Sequence, residues 1–134
     1  MRWLLLALVA LVGLVGAAFA VAEPTAGGGV GAYALVNPNG GSPVLVPGHT
    51  SGFASVNVGP FGPGDYCLTP SPGVNVDGTA AVASEEAFYS DAFGVVTVRY
   101  PTSGPSCDGN QLEVKTFALG DGLSDQVAFT VNVP

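Results

Sequence analysis

Gly62-Pro63-Gly64-Asp65-Tyr66-Cys67-Leu68 is the stretch on which the reading of this chain turns. A glycine-proline turn runs straight into a strand start that carries one of only two cysteines. The other cysteine stands in Pro105-Ser106-Cys107-Asp108-Gly109-Asn110, a turn that opens a second strand. Successive strand residues face opposite ways, so Tyr66 and Leu68 share one side and Cys67 takes the other. With Tyr66 facing a core, Cys67 reaches outward to the Cys107 loop. The expected product is a disulfide staple across an all-β fold.

Two cysteines in an exported chain generally pair. A Cys67–Cys107 bridge spans 40 residues of sequence. In the chain-entropy treatment such a loop is worth about 4 kcal/mol, a large part of the roughly 5–15 kcal/mol that holds a small domain together. A zinc site is the weaker alternative, since two cysteines and the sole histidine, His49, need carboxylates to reach four ligands.

Export is read from the N-terminus. Trp3 to Ala22 is an apolar run, and about 20 such residues can span a bilayer. Its flanks favour a cleaved secretory signal over residues 1–22. Arg2 gives a positive start, Leu4 to Val15 an apolar middle, and Gly16-Ala17-Ala18-Phe19-Ala20 a small-residue end. Cleavage is expected after Ala20 or Ala22, and no nearby cysteine offers a lipoprotein anchor. Residues 23–29 (EPTAGGG) have the composition of a flexible tether, and 30–134 is expected to be the folded domain. The absence of isoleucine and the single lysine point to a GC-rich bacterial genome.

Without the signal, ten acidic residues face only Arg99 and Lys115, a net charge of −8. Such a chain cannot neutralise a row of phosphates, which is the main source of nucleic-acid affinity, and it is repelled by anionic lipid surfaces. Nucleic acid and stable membrane insertion after cleavage are therefore set aside. A solvated acidic surface accounts for the charge.

With 20 glycines and 11 prolines, turns and short strands outnumber helices. Ala32 to Val36 reads as a first strand, ended by the turn signal Asn37-Pro38-Asn39-Gly40-Gly41. Val44 to Val46, between Pro43 and Pro47, fits a sheet edge. Phe53 to Val58 sets Ala54, Val56 and Val58 against Ser55 and Asn57. Asp77-Gly78 is a hairpin signal, and Ala80 to Ala83 reads as a strand. For residues 84–94 an extended end and a loop are expected, because a two-turn helix capped by Ser84 is marginal without packing. Val96, Val98 and Tyr100 alternate with Thr97 and Arg99. The alternation from Leu112 to Lys115 changes phase at Thr116 to Leu119, which predicts a β-bulge. Val127, Phe129, Val131 and Val133 form the clearest strand. About eight strands with turns between them predict a single antiparallel β-sandwich with Greek-key-like connections.

Gly64-Asp65-Tyr66-Cys67-Leu68-Thr69, the Cys107 turn ahead of Gln111-Leu112-Glu113-Val114-Lys115-Thr116-Phe117, and the terminal Asp125-Gln126-Val127-Ala128-Phe129-Thr130-Val131-Asn132-Val133-Pro134 give most of the domain a likeness. It resembles small secreted bacterial all-β domain proteins of unknown function. That resemblance implies a fold and transfers no catalytic residue, because turn and strand signatures specify architecture alone. The immunoglobulin pattern is not met. Its corner tyrosine stands two residues before a cysteine and its core holds a tryptophan, whereas Tyr66 directly precedes Cys67 and the only tryptophan is Trp3.

Candidate chemistry is thin. His49 lies beside Thr50 and Ser51, but no Gly-x-Ser-x-Gly turn accompanies it, and a surface-loop histidine is expected. Glu85 and Glu86 are consecutive, so they diverge on a strand or a helix instead of forming a glycosidase pair, and a solvated strand end is expected. Asp77, Asp108, Asp121 and Asp125 sit in glycine-rich turns with oxygen donors of the kind calcium takes. The EF-hand spacing is absent, and such residues are ordinary in turns. Phe88, Tyr89 and Phe93, with Phe53 and Phe61, could form a binding platform, although in so small a domain aromatics are expected in the core. The expectation is a secreted or surface-associated, non-enzymatic binding or structural module without a cofactor. Its partner would be a protein or glycan at the cell envelope or outside. The rivals are a small hydrolase using His49, a calcium-dependent module, and self-association through Val44 to Val46.

Overall fold

Proline and glycine cut this chain into short extended pieces, and the computed structural model shows how they pair. It describes residues 31–77, 80–99 and 106–134. The expected signal over 1–22, the tether over 23–29 and Val30 lie outside the described residues, as do Gly78 and the 100–105 segment with Tyr100 and Pro105. Eight strands are formed among the described residues: β1 Ala32–Asn37, β2 Val44–Ser51, β3 Phe53–Val58, β4 Asp65–Pro70, β5 Val82–Glu85, β6 Gly94–Arg99, β7 Leu112–Ala118 and β8 Phe129–Val133. They make two four-stranded sheets, ordered β2-β1-β8-β5 and β3-β4-β7-β6, and every pairing is antiparallel. The chain changes sheet after β2, β4, β5 and β7, so that β1 meets β8 and β4 meets β7 across long sequence gaps. These are the Greek-key-like connections expected of the sandwich.

The sheets face each other across side chains that alternate as the sequence predicts. Ala34 and Val36 of β1 and Phe129, Val131 and Val133 of β8 meet Tyr66 and Leu68 of β4 and Leu112 and Val114 of β7. The Tyr66 and Phe129 rings lie tilted with centroids 5.4 Å apart, within the range of favourable aromatic pairs. Cys67 points away from this core and is bonded to Cys107, their Cα atoms 5.4 Å apart. Ahead of it, Asp65 organises the turn. Its buried carboxylate accepts the Phe61 N–H at 3.0 Å, and its carbonyl accepts the Gly59 N–H at 2.7 Å. Gly64 has φ 89°, and a Cβ there would collide with the Ser124 backbone, so glycine is required on two grounds.

Three expectations are corrected. On either side of β7 the pairing is continuous, from Gly94↔Ala118 to Arg99↔Glu113 and from Asp65↔Lys115 to Leu68↔Leu112, so no bulge interrupts that strand. Thr116 keeps the inward phase because its hydroxyl donates to the Ser124 carbonyl at 2.5 Å, and Phe117 turns outward. In β3 the register against β4 slips between Phe53 and Ser55, which buries Phe53 together with Val56 and leaves Ala54 exposed; Val58, opposite Tyr66, keeps the phase of Val56 but is exposed at the strand end. The fifth strand runs over Val82–Glu85 instead of 80–83. Val82 is paired with Asn132, and two residues earlier the partner would be Pro134, which has no N–H to donate.

β2 is an edge strand, as its prolines suggested, but it continues to Ser51. Its register against β1 jumps from Ala34↔Thr50 to Val36↔Leu45, so Val46 to His49 bow out as a wide bulge. The Thr50 hydroxyl closes that bulge by donating to the Val46 carbonyl at 3.2 Å. No helix among the described residues is long and apolar enough to cross a membrane.

Candidate functional site

The segment between β5 and β6 is built by its own polar side chains. The Glu86 carboxylate accepts the N–H groups of Phe88 at 3.1 Å and Tyr89 at 2.9 Å. The Ser90 hydroxyl donates to the Glu86 carbonyl and accepts the Ala128 N–H at 2.8 Å. Backbone bonds complete the attachment: the Glu86 N–H donates to the Ala128 carbonyl at 2.9 Å, and the Asp91 and Ala92 N–H groups donate to the Gln126 carbonyl at 2.7 and 3.2 Å. This is the extended end and loop expected for 84–94, and the loop is fastened to the segment that leads into β8.

Fastening the backbone sends the aromatic side chains outward. Phe88 is 84% exposed and Phe93 74%, while Tyr89 packs edge-on against Phe88 with centroids 5.0 Å apart. The expectation that these aromatics fill the core is therefore overturned for Phe88 and Phe93. Phe53 is in the core and Phe61 is half exposed. Leu119 donates its N–H to the Phe93 carbonyl and is itself 70% exposed. Val95 is paired with Phe117 one step further along the sheet, so alternation puts Phe93, Val95, Phe117 and Leu119 on one outward strip.

Beside this strip is a cavity of about 130 Å³ lined by Glu85, Ala87, Ser90, Asp91, Ala92 and Phe93. Glu85 is paired with Phe129 in the β5–β8 ladder. Directly opposed residues share a face, so Glu85 continues the core-facing row of Ala81 and Ala83, both packed on the core. Its Oε1 is buried and has no hydrogen-bond partner among the described residues. An unsatisfied buried acceptor costs about 1–3 kcal/mol, at the lower end here because the residue is partly exposed. The solvated strand end expected of Glu85 and Glu86 is thus corrected. One carboxylate holds the loop, and the other faces inward at the mouth of the sandwich.

Glu113 makes a contrast. It lies on the outer side of β7, fully buried, and its oxygens also accept no hydrogen bond among the described residues, but Arg99 Nε is 3.5 Å from Oε2 and Lys115 Nζ 3.4 Å from Oε1. Lys115 also stands 3.8 Å from the centroid of the Phe61 ring, a cation–π arrangement. Arg99 and Lys115 are the only lysine or arginine residues after Arg2. The sandwich therefore places both of its strong cations on one carboxylate.

The remaining candidates stand apart. His49 is exposed on the β2 bulge, beside a cavity of about 360 Å³ shared with Tyr33, Thr130 and Asn132. No hydrogen bond joins it to a hydroxyl among the described residues, and the neighbouring Thr50 hydroxyl is occupied by Val46. Asp77 and Asp108 are exposed in separate turns, and Asp121 and Asp125 share the turn after β7. Among the described residues no three His, Cys, Asp or Glu side chains gather as a metal site. The Tyr66 hydroxyl is buried near Thr116 and Gly64 without a complete hydrogen bond. Burial pushes its pKa above 10.0, the Thr116 and Gly64 contacts oppose the rise, and the Asp125 and Asp65 charges add to it.

Sequence reasoning missed the inward orientation of Glu85. Its signal is the spacing Ala81-x-Ala83-x-Glu85, which puts an acid in an apolar row once the strand's phase is known. Compared with protein-family models, with curated proteins and with solved structures, the chain has no match.

Proposed function

We propose that this protein is a secreted or cell-surface-associated, non-enzymatic binding module that engages a partner at the cell envelope or outside through its 86–93 loop. One observation carries the reading: Phe88 and Phe93 stand in solvent on a loop whose backbone is bonded to Gln126 and Ala128. Each exposed phenylalanine forgoes roughly 1.5–3 kcal/mol of burial. Covering an aromatic that is already held in place recovers that free energy at small entropic cost. The strip Phe93, Val95, Phe117 and Leu119 widens the apolar face beside the loop.

The test is co-sedimentation of the purified, oxidised protein with washed bacterial envelope material, before and after protease treatment of that material. Wild type and the His49→Ala control are expected in the pellet. A folded Phe88→Ser/Phe93→Ser variant, with an unchanged melting temperature, is expected in the supernatant. Protease sensitivity identifies a protein partner, and resistance identifies a glycan. Equal pelleting of the double variant overturns the reading.

A further inference from the structure

We propose that the cavity behind Phe93 is a receptor for one cationic side chain, the lysine of a basic partner segment; this rests on the binding face argued above and names the chemistry it recognises. Three features converge there. Glu85 lines the cavity, with its Oε1 shielded from water and without a partner among the described residues, Asp91 adds a second negative charge, and Ala87, Ala92 and Phe93 supply apolar wall. A lysine combines the same elements in complement, a methylene stem that packs on apolar surface and an ammonium that needs acceptors.

Size and charge decide among ligands. At about 130 Å³ the cavity is well below the roughly 300–1,000 Å³ of small-molecule sites, so it suits one side chain inserted from a larger partner. Its two carboxylates reject anions and leave a neutral ligand's burial of Glu85 uncompensated. The fold shows what it does with a carboxylate that is buried for structure, because Glu113 is flanked by both Arg99 and Lys115. Glu85 sits in an apolar row and receives no such internal cation among the described residues. The missing charge is supplied from outside. The chain's net charge of −7 favours approach of a basic segment.

The experiment is an NMR titration of the isotope-labelled, oxidised protein with the peptide Gly-Ala-Lys-Ala-Gly up to about millimolar concentration. Parallel arms use the same peptide acetylated on the lysine nitrogen and a glucosamine trimer, which carries amines on a glycan. Saturating shifts are expected at the amides of Ala87, Ser90, Asp91, Ala92 and Phe93. They should weaken as salt rises, and the acetylated peptide should give none. Glu85→Gln, which keeps shape and removes charge, should lower affinity at least about tenfold, the loss of one charge-assisted contact. Its melting temperature reports that it is folded. Unchanged affinity in Glu85→Gln, equal binding of the acetylated peptide, or shifts spread evenly over the turns at Asp77, Asp108 and Asp121 overturns the proposal. So does tighter binding of the glucosamine trimer. If the peptide fails while Phe88→Ser/Phe93→Ser still abolishes co-sedimentation, the lysine assignment falls and the binding face stands. If that double variant still pellets, the binding face itself falls.

Discussion

Removing the Cys67–Cys107 bridge by Cys67→Ala/Cys107→Ala gives the most direct quantitative test of the fold. The cysteines are 40 residues apart in sequence. Closing a loop of that length removes about 13 cal/mol/K from the unfolded chain, or about 4 kcal/mol at 25 °C. For a domain of roughly 105 residues the unfolding entropy near the midpoint is about 220 cal/mol/K. The melting temperature should therefore fall by about 18 °C. Calorimetry of three samples separates the causes: oxidised wild type, reduced wild type and the double variant. Reduced wild type keeps both sulfur atoms, so its loss reports the cross-link, and any further loss in the double variant reports packing of the two buried side chains. Because the cross-link acts on the unfolded state, the urea m-value should rise when the bridge is absent, as the released chain exposes more surface. A shift under about 4 °C with an unchanged m-value would refute the reasoning. It would mean that other contacts already restrain residues 67–107 in the unfolded chain.

Two further outcomes follow from single side chains. Burial raises the folded-state pKa of Tyr66 above 10.0, so its contribution is fully present below about pH 10 and is lost as pH rises through the folded value, where the unfolded state binds fewer protons. Urea midpoints across the alkaline range should show a shallower decline in Tyr66→Phe than in wild type, and equal declines count against this cause. Gly62 and Gly64 share almost the same positive φ, 86° and 89°, but a Cβ at Gly62 meets open space and one at Gly64 meets the Ser124 backbone. Gly62→Ala should cost about 1–2 kcal/mol for the left-handed conformation, and Gly64→Ala at least about 2 kcal/mol more by denaturant titration; equal losses would remove the steric account.

The architecture is legible because its strands carry their phase in single residues. Phe129, Val131 and Val133 announce β8, which starts two residues after Val127, and Tyr66 and Leu68 against Cys67 announce the staple. Where a residue's phase depends on a distant partner, the sequence is silent. Thr116 looks like a break in β7 until its hydroxyl meets the Ser124 carbonyl. Ala80 to Ala83 looks like a strand until Pro134 stands opposite its start. The aromatic loop misleads for a similar reason. Whether Phe88 and Phe93 face in or out depends on bonds from residues 86–92 to Gln126 and Ala128, and Ser90 and Ala128 are 38 positions apart in sequence. Glu85 is hidden because the small apolar run before it shows no alternation from which to take a phase.

The placement of stabilising and costly features argues that they serve different ends. The disulfide, the Asp65-bound turn, and Glu113 with its two cations all sit on the sheet β3-β4-β7-β6, centred on the β4–β7 pair. Exposed apolar side chains gather instead between β5 and β6, where Phe88 and Phe93 stand in water beside Glu85, while buried oxygens without a hydrogen-bond partner occur in both sheets, at Glu85 and at Asp65, Tyr66 and Glu113. An orphan acceptor at about 1–3 kcal/mol is of the same order as the roughly 4 kcal/mol of the bridge. A fold selected for stability alone would put a leucine or valine at position 85, in line with Ala81 and Ala83. Local violations of that kind concentrate where a protein meets something else. In the proposed reading, the staple holds β4 firm while a partner supplies the charge that Glu85 lacks and covers the exposed rings of Phe88 and Phe93.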